Sequence, residues 1–302
     1  MAYPSVMEKW PDRGPSGRIA YVNGRYLRHG EASVHVEDRG LQFGDSIYEV
    51  CRVEAGVLLD EQGHLDRLER SLAALELPMP VVRGALLRIM RELIRRNRLR
   101  DGLIYLQVTR GAFRRDHPIP DSAARPTLIL TARTGNPAMA AARLAQGVKI
   151  ITRPDERWAR RDIKTTQLLP AILAKTAAKR AGAAEAWLVD GDGFVTEGGS
   201  TNGWIVDAGG TLVTRPLSRD ILPGVTRAVV LAAARAAGLA VAERKFTVAE
   251  AYAAREAFLT SASGAAVPVV GIDGRAIGDG RAGPLTLRLQ ELYAERSGGG
   301  SG

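Results

Sequence analysis

The sequence predicts a mixed α+β fold in two domains, and three features of the hydrophobic pattern support this prediction. Apolar residues recur at helical spacing in several segments, as at Leu65, Leu68 and Leu72. Other segments alternate apolar and polar residues around turn signals such as Asn23-Gly24, which is typical of β-hairpins. The predicted strands are joined by hairpins too often for a doubly wound parallel sheet.

The first half of the chain alternates short strands with two amphipathic helices. Two predicted strand pairs come from turn signals at Asn23-Gly24 and Ala55-Gly56. The predicted strand segments are residues 19–27, 48–59, 103–108 and 127–131, and the predicted helices are residues 64–77 and 82–99.

The second half follows the same pattern with more helices. A strand segment over residues 185–195 is interrupted by turn residues at 190–193, and a hairpin turns at Gly209-Gly210. The predicted strand segments are residues 148–152, 185–195 and 204–213, and the predicted helices are residues 168–183, 225–237, 248–255 and 284–296.

Shifts in composition divide the chain into five parts. Residues 1–17 are rich in Pro and Gly and are expected to form a loose arm. A small N-terminal domain over residues 18–133 is followed by a linker at 134–146. A larger domain is expected over residues 147–296, followed by a flexible Gly/Ser tail over 297–302.

Composition excludes several classes of protein. The 302 residues include 45% hydrophobic residues, enough for a substantial core. Cys51 is the single cysteine, so an intrachain disulfide and a cysteine-based zinc cage are both excluded. The sequence contains no apolar run of the length that spans a membrane, and its first residues lack a signal-peptide pattern. We therefore expect a cytoplasmic protein without a membrane partner.

The net charge of +9 and the pI of about 10.0 raise the possibility of a nucleic-acid partner. The arginines are scattered through both halves of the chain, and aromatic residues make up only 5% of it. Base-stacking platforms need aromatic side chains, so we expect most of this charge to be a solvated surface and expect no nucleic-acid partner.

The common catalytic signatures are absent from the sequence. It contains no nucleophile elbow, metalloprotease helix or phosphate-binding loop, and its four histidines lack metal-ligand spacing, so no metal site is expected. Lys164 lies between a charged turn and an apolar helix, where a desolvated amine could attack a carbonyl and form a Schiff base. Composition alone favours the interpretation of Lys164 as a surface lysine.

Two further segments combine glycine with polar residues. Glu197 precedes Gly198-Gly199 and a run of small polar residues, an arrangement that suits either a ligand site or a solvated hairpin turn. The segment 222–227 leads directly into a predicted helix, whose N-terminal N–H groups could bind a phosphate or could simply be capped.

Taken in order, these three motifs resemble the fold-type-IV pyridoxal-phosphate aminotransferases. The motifs are Asp162-Ile163-Lys164-Thr165, Thr196-Glu197-Gly198 with Ser200 and Asn202, and residues 222–227. The similarity extends from about Tyr21 to Tyr293 and includes the segments 37–40, 43–45 and 64–67. It implies a smaller N-terminal α/β domain, a larger C-terminal domain with hairpin-rich sheets, and a homodimer.

The resemblance also implies a role for each motif residue with pyridoxal 5'-phosphate. Lys164 would form the Schiff base and move the substrate's α-proton, Glu197 would hold the pyridine nitrogen protonated, and Arg67 would bind the phosphate. Where the family has a further phosphate hydroxyl this chain has Ala262, so Ser261 or Ser263 would have to replace it. The implied cofactor-binding residues are Lys164, Arg67, Glu197, Leu222, Val225, Thr226 and Ser261.

Within that family the chain most resembles the D-amino-acid aminotransferases. The resemblance implies that this chain would transfer the amino group of a D-amino acid such as D-alanine to a 2-oxo acid. The D-amino-acid aminotransferases have an Arg-x-His pair and an early tyrosine, here Arg115, His117 and Tyr48, which would bind the substrate carboxylate. An (R)-selective amine transaminase, a branched-chain L-amino-acid aminotransferase and an aminodeoxychorismate lyase remain open alternatives.

Overall fold

The computed structural model describes residues 17–120 and 125–298. The helices are α1 (Arg39–Phe43), α2 (Glu61–Ala74), α3 (Arg83–Arg96), α4 (Pro137–Gln146), α5 (Leu169–Arg180), α6 (Val225–Ala236), α7 (Val248–Tyr252) and α8 (Pro284–Gly298). The strands are β1 (Ile19–Val22), β2 (Arg25–Arg28), β3 (Ser46–Glu54), β4 (Val57–Leu58), β5 (Gly102–Thr109), β6 (Thr127–Thr134), β7 (Val148–Pro154), β8 (Glu185–Val189), β9 (Val195–Gly198), β10 (Asn202–Val206), β11 (Leu212–Thr214), β12 (Val241–Glu243), β13 (Glu256–Ser261), β14 (Gly264–Ile272) and β15 (Arg275–Ala276).

The described residues divide into two compact units. Unit 1 comprises the described residues up to Leu58 together with Leu68–Gly135. Unit 2 comprises Leu59–Arg67 and the described residues from Asn136 onward. Each unit contains its own sheet.

Unit 1 contains a six-stranded antiparallel sheet in the order β2-β1-β6-β5-β3-β4. Burial alternates along β3, where Ile47, Cys51 and Val53 face the core and Tyr48 lies on the more open face. The helix α3 packs against β1 and β6, and its buried stripe includes Leu86 and other apolar residues at helical spacing. One face of the sheet is therefore covered, while the other remains half-exposed.

Unit 2 is built on a mixed sheet that is buried on both faces. Its order is β12-β11-β10-β13-β14-β7-β8-β9, with β15 paired to β14. Successive strand residues point to opposite faces, so Ile205 joins one apolar cluster while Trp204 joins another. Trp204 stacks on Phe258, and α6 and α8 contribute to the same cluster. Apolar clusters on both faces of the sheet therefore fix the strands that lead into the motif residues.

The structure confirms the predicted α+β class and the hairpins at residues 19–27 and 48–59. Within residues 17–120 and 125–298, parallel pairing is limited to β7 with its neighbours β8 and β14 and to β11 with β12, an arrangement unlike a doubly wound sheet. Among the described helices, none combines the length and apolar character that crossing a membrane requires.

Several segments differ from their predicted structure: α1 and β14 were not predicted, and α2 begins and ends three residues before the predicted helix 64–77. Most of the predicted linker, from Pro137 to Gln146, is the helix α4 of unit 2, because the Asn136 side chain caps its first turn and Pro137 occupies its first position. The predicted helix at 248–255 ends at Tyr252, and α8 extends two residues beyond 296. Most of the predicted arm and residues 299–302 of the predicted tail lie outside the described residues.

A buried carboxylate links β13 to α8 within unit 2. Glu256 accepts hydrogen bonds from the backbone N–H groups of Leu285 and Thr286 at 2.9 and 2.8 Å, and from the Thr286 hydroxyl at 2.7 Å. These N–H groups belong to the first turn of α8 and have no partner inside the helix. Farther along α8, the Tyr293 hydroxyl donates to Asp60 at 2.9 Å, just before the segment of α2 that leads to Arg67. The Glu256 carboxylate therefore fixes a helix that is also hydrogen-bonded to the residue directly before α2.

We expect Glu256→Ala to destabilise the protein by about 1–3 kcal/mol, because it leaves buried donors without a partner. Urea unfolding followed by circular dichroism measures the change. The control is Glu291→Ala, which removes an exposed ion pair with Arg288 on the same helix and should change stability by less than about 1 kcal/mol. Equal effects of the two substitutions would contradict the assigned role of Glu256.

Candidate active site

Glu197 is the centre of a buried polar network in unit 2. It lies in β9, and its carboxylate accepts hydrogen bonds from the Arg157 guanidinium, from Asn202 Nδ2 at 2.9 Å and from the Leu222 N–H at 3.1 Å. Asn202 also donates to the carbonyl of Leu222 at 3.0 Å. Three separate segments of the chain therefore meet at one carboxylate.

The charge on Glu197 is controlled by burial and by Arg157. Burial raises the pKa of the Glu197 carboxyl, and the Arg157 guanidinium opposes that rise without cancelling it. Burial lowers the pKa of Arg157. Its hydrogen bond with Asp155 and the charge of Glu197 raise the pKa by a larger amount, so the net pKa of Arg157 lies above its ordinary value. Glu197 is thus a buried carboxylate with an increased affinity for protons, suited to pair with a protonated heterocyclic nitrogen.

Asp155 balances the positive charge of Arg157. Its side chain is fully buried and accepts from Arg157 Nε and Nη2 at 2.9 and 2.8 Å and from the Thr196 hydroxyl at 2.7 Å. Burial raises the pKa of Asp155, but the hydrogen bonds with Arg157 outweigh that effect and the net pKa is lowered. Asp155 therefore stays ionised and leaves Glu197 as the carboxylate with the raised pKa.

Lys164 lies in the irregular segment between β7 and α5 and is half-buried. The segment is fixed at several points, because Arg157 binds Glu197, the Arg161 N–H donates to the carbonyl of residue 219 at 3.0 Å, and Ile163 is buried. Lys164 therefore projects from a backbone that is tied to the same network as Glu197. The catalytic role of Lys164 stays a prediction.

The N-terminus of α6 forms the other end of the candidate site. Gly224 is its N-cap and has no side chain to accept from the first N–H groups, those of Val225 and Thr226, which have no partner within the helix. Arg67 is buried and donates from Nη1 to the carbonyl of Pro223 at 3.2 Å. A buried cation next to the positive end of a helix favours binding of an anion.

The two ends of the site are close along the chain. The Leu222 N–H binds Glu197, and only two residues separate Leu222 from Val225. A span of three residues cannot exceed about 11 Å. A buried carboxylate and the uncapped N-terminus of α6 therefore lie within the length of a small cofactor, with the half-buried Leu222 between them.

The strand β13 ends at Ser261, where the resemblance implied a further phosphate hydroxyl. Ala262 has none, but the Ser261 and Ser263 hydroxyl oxygens lie 3.1 Å apart and form a hydrogen bond with each other. Ser261 is half-buried and Ser263 is exposed. The paired hydroxyls supply the chemical group that Ala262 lacks, and their role stays a prediction.

The predicted substrate residues belong to unit 1. Arg115 and His117 are exposed, and both approach Phe43, the Arg115 guanidinium at 5.2 Å and the His117 ring at 5.5 Å between centroids. Tyr48 lies on β3 and stacks on Tyr105, with 5.7 Å between ring centroids. The structure thus places Arg115 and His117 beside the same Phe43 ring, whereas Tyr48 lies on the sheet and contacts Tyr105.

The groups of unit 2 fit pyridoxal 5'-phosphate. The cofactor carries an anionic phosphate at one end and a basic pyridine nitrogen at the other. Arg67 and the uncapped start of α6 would hold the phosphate, and Glu197 would hold the pyridine nitrogen. The amine of Lys164 supplies the group that would bind its carbonyl carbon.

Sequence reasoning missed Arg157 and Asp155, which it treated as part of a charged turn. Both carry charge in a segment rich in arginine, and their sequence spacing gives no sign that one of them reaches β9. The available signal was the Asp-x-Arg pair shortly before Lys164, but solvated turns contain such pairs as well. The contact is tertiary and appears only once β7 and β9 are placed on either side of β8.

Comparison with known proteins gives a consistent result. The profile of the amino-transferase class IV family matches residues 46–272. The chain is 38% identical over 275 residues to a D-alanine aminotransferase of Listeria monocytogenes, a match that covers 91% of this chain and 94% of the relative.

Solved structures with the same fold include two branched-chain amino acid aminotransferases. The Escherichia coli protein has a TM-score of 0.85 at 26% identity and covers 93% of this chain and 94% of its own. The T.th. protein, solved with pyridoxamine 5'-phosphate, has a TM-score of 0.83 at 28% identity and the same coverages. These likenesses confirm the fold that the order of the motifs predicted.

We expect Gly224→Ala to disturb the Glu197 network, because a Cβ atom at this position would overlap Asn202 Oδ1. Displacement of Asn202 would weaken its bonds to Glu197 and Leu222 and destabilise the protein by about 1–3 kcal/mol. The matched control is Gly191→Ala, where a Cβ atom meets nothing within 4 Å. Urea unfolding of both variants checks the prediction, and an unchanged Gly224→Ala protein would contradict it.

Proposed function

The chain belongs to the amino-transferase class IV family, and from this premise we propose that it is a D-amino-acid transaminase that uses pyridoxal 5'-phosphate. In two successive half-reactions it would take the amino group from a D-amino acid such as D-alanine and give it to a 2-oxo acid. The first substrate leaves as its own 2-oxo acid, so the amino group is conserved between the halves.

The observation that carries the cofactor proposal is the pairing of a buried carboxylate with an uncapped helix N-terminus in unit 2. Glu197 and the start of α6 are joined by the short segment that begins at Leu222. One structural relative was solved with pyridoxamine 5'-phosphate, the amino form of this cofactor. Both the local chemistry and the relative support the same small molecule.

In this proposal each residue has a defined task. Lys164 holds the cofactor in the resting enzyme and moves the proton at the substrate Cα, because its amine acts as a nucleophile and as a base. Glu197 holds a proton at the pyridine nitrogen, and the bound cofactor then supplies an electron-withdrawing ring. Leu222 would pack against that ring.

The phosphate would be bound by several groups at once. They are the Arg67 guanidinium, the N–H groups of Val225 and Thr226 at the start of α6, and the Ser261 hydroxyl with Ser263 as its hydrogen-bond partner. Combining a guanidinium with backbone N–H groups binds a dianion more firmly than either alone.

The proposed substrate site uses Arg115 and His117 with Tyr48. An arginine fork, an imidazole and a phenol suit a carboxylate, and an amine without a carboxylate would have no use for them. The chain is 38% identical to a relative named for D-alanine and 26–28% identical to the branched-chain enzymes. These observations favour a D-amino acid over a branched-chain L-amino acid or a simple amine.

The proposal extends to a homodimer in the cytoplasm. In α5 the apolar side chains of Leu169, Ile172 and Leu173 are more than half exposed, as is common where a second copy covers a surface. Cys51 is buried, and a chain with a single cysteine needs no intrachain disulfide, which is compatible with a reducing compartment. Neither nucleic acid nor a membrane has a place in this proposal.

We expect Lys164→Ala to lower kcat for transamination by about a thousandfold or more, since it removes both the nucleophile and the base. The exposed Lys179 of α5 provides a matched control, and Lys179→Ala should retain activity. Borohydride reduction followed by peptide mass spectrometry should find the cofactor fixed to the Lys164 peptide in the control and on no lysine in Lys164→Ala. Cofactor fixed to another lysine, or near-normal turnover in Lys164→Ala, would contradict the assignment.

We expect the double substitution of Arg115 and His117 by alanine to raise KM for D-alanine by tenfold or more. Charge-assisted hydrogen bonds typically contribute about 1.5–3 kcal/mol each, and both would be lost. Absorbance of the bound cofactor should not change, because Lys164 and Glu197 remain. Kinetics with D-alanine, L-leucine and (R)-1-phenylethylamine on both proteins check this, and an unchanged KM for D-alanine in the variant would remove the carboxylate-binding role.

A further inference from the structure

The segment that carries Arg115 and His117 is attached to the short helix α1 within unit 1. We call residues 113–118 the substrate loop. Backbone hydrogen bonds join its start to the residues around α1, from Arg39 N–H to the Gly111 carbonyl at 2.9 Å and from Phe113 N–H to the Glu37 carbonyl at 3.3 Å. The far part of the loop has a different attachment.

That attachment is the side chain of Arg39, which is buried although it is charged. Its Nη1 donates to the carbonyls of Asp116 and Pro118 at 2.6 and 3.3 Å, and its Nη2 donates to the carbonyl of His117 at 3.1 Å. One guanidinium therefore binds three consecutive carbonyls of the substrate loop. A lysine, which has a single nitrogen, cannot reproduce this fork.

Phe43 at the other end of α1 supports the side chains of the same loop. The Arg39 guanidinium lies 4.7 Å from the centroid of the Phe43 ring, and the Arg115 guanidinium lies 5.2 Å from it. The His117 ring packs 5.5 Å from the same centroid. Arg39 fixes the backbone at His117, while Phe43 provides a common surface for Arg115 and His117.

Arg39 is itself held by a second arginine through Asp45. Asp45 Oδ2 accepts from Arg39 Nε at 2.8 Å and from Arg110 Nε at 2.7 Å. Burial raises the pKa of Asp45, but the hydrogen bonds with both arginines lower it to below its ordinary value. The Nη1 and Nη2 atoms of Arg110 donate to the carbonyls of Glu76 and Leu75 rather than to the substrate loop. Arg39 and Arg110 therefore share a carboxylate but differ in what they fix.

We propose that Arg39 and Phe43 are positioning residues for substrate specificity. Arg39 orders the backbone of the substrate loop and Phe43 orders its side chains, so that Arg115 and His117 meet the substrate carboxylate. Arg39 acts through the loop carbonyls and touches no substrate. Both side chains that it serves are exposed, so without this support the loop would have to be ordered when substrate binds. The inference rests on the carboxylate-binding role of Arg115 and His117 proposed above.

The test compares Arg39→Lys with Arg110→Lys. Each variant replaces one buried arginine that binds Asp45, but only Arg39→Lys removes the fork on the substrate loop. We expect Arg39→Lys to raise both KM for D-alanine and the inhibition constant of propanoate, a bare carboxylate, by about tenfold, with kcat changed by less than about threefold. Arg110→Lys should leave both constants within about twofold of the parent protein, even if its melting temperature falls as much as that of Arg39→Lys.

Limited trypsin digestion gives a readout that does not depend on activity. Arg114 and Arg115 lie in the substrate loop, so cleavage after them should be several times faster in Arg39→Lys than in Arg110→Lys or the parent protein. Phe43→Leu retains the Arg39 fork and removes the ring shared by Arg115 and His117. It should raise the same two constants with unchanged cleavage, and it carries the test where Arg39→Lys fails to fold.

Arg115→Ala separates the inference from the proposed function. A normal KM for D-alanine in Arg115→Ala overturns the carboxylate site and the inference together. A raised KM in Arg115→Ala, combined with unchanged constants and cleavage in Arg39→Lys or unchanged constants in Phe43→Leu, overturns the inference alone. Equal rises in Arg39→Lys and Arg110→Lys also overturn it, because a general loss of packing would then explain both.

Discussion

The hydrogen-bonded carboxylate of Glu197 is the contact on which the candidate site of unit 2 depends. It joins β9 to the segment that carries Lys164 through Arg157, and to the segment before α6 through Asn202 and Leu222. A buried carboxylate is tolerated only when donors surround it, so the network also fixes where these segments run. The same burial that makes the contact demanding raises the pKa of Glu197 and gives it a chemical use.

The two proposed anion sites of this chain are built in different ways. At α6 the donors are backbone N–H groups next to the buried Arg67, so the geometry follows from a regular helix and needs few side chains. In unit 1 the proposed carboxylate site depends on exposed side chains of an irregular loop, which has to be fixed by other means. Arg39 does so with one guanidinium on consecutive carbonyls. A site on a loop therefore requires a supporting layer that a helix terminus does not.

The sequence predicted most elements of the fold, because hydrophobic period and turn residues act locally, as at Asn23-Gly24 and along α3. It predicted the motif residues of unit 2 through their resemblance to a family. It could not predict that Arg157 reaches Glu197 or that Arg39 reaches the loop at His117, because those contacts join residues 40 and 78 positions apart. Residues 134–146 were interpreted as a linker because Gly135-Asn136-Pro137 is followed by an alanine-rich stretch, whereas the cap at Asn136 starts a helix there.

The most direct test of the central claim is the absorbance spectrum of the purified protein, recorded before and after addition of D-alanine, L-alanine or L-leucine without a 2-oxo acid. The account predicts a visible cofactor band that D-alanine converts, with release of about one pyruvate per bound cofactor as a single half-reaction requires. The two L-amino acids should leave the band nearly unchanged over the same time. A protein that binds no chromophore when pyridoxal 5'-phosphate is supplied, or one that L-leucine converts faster than D-alanine, would contradict the account.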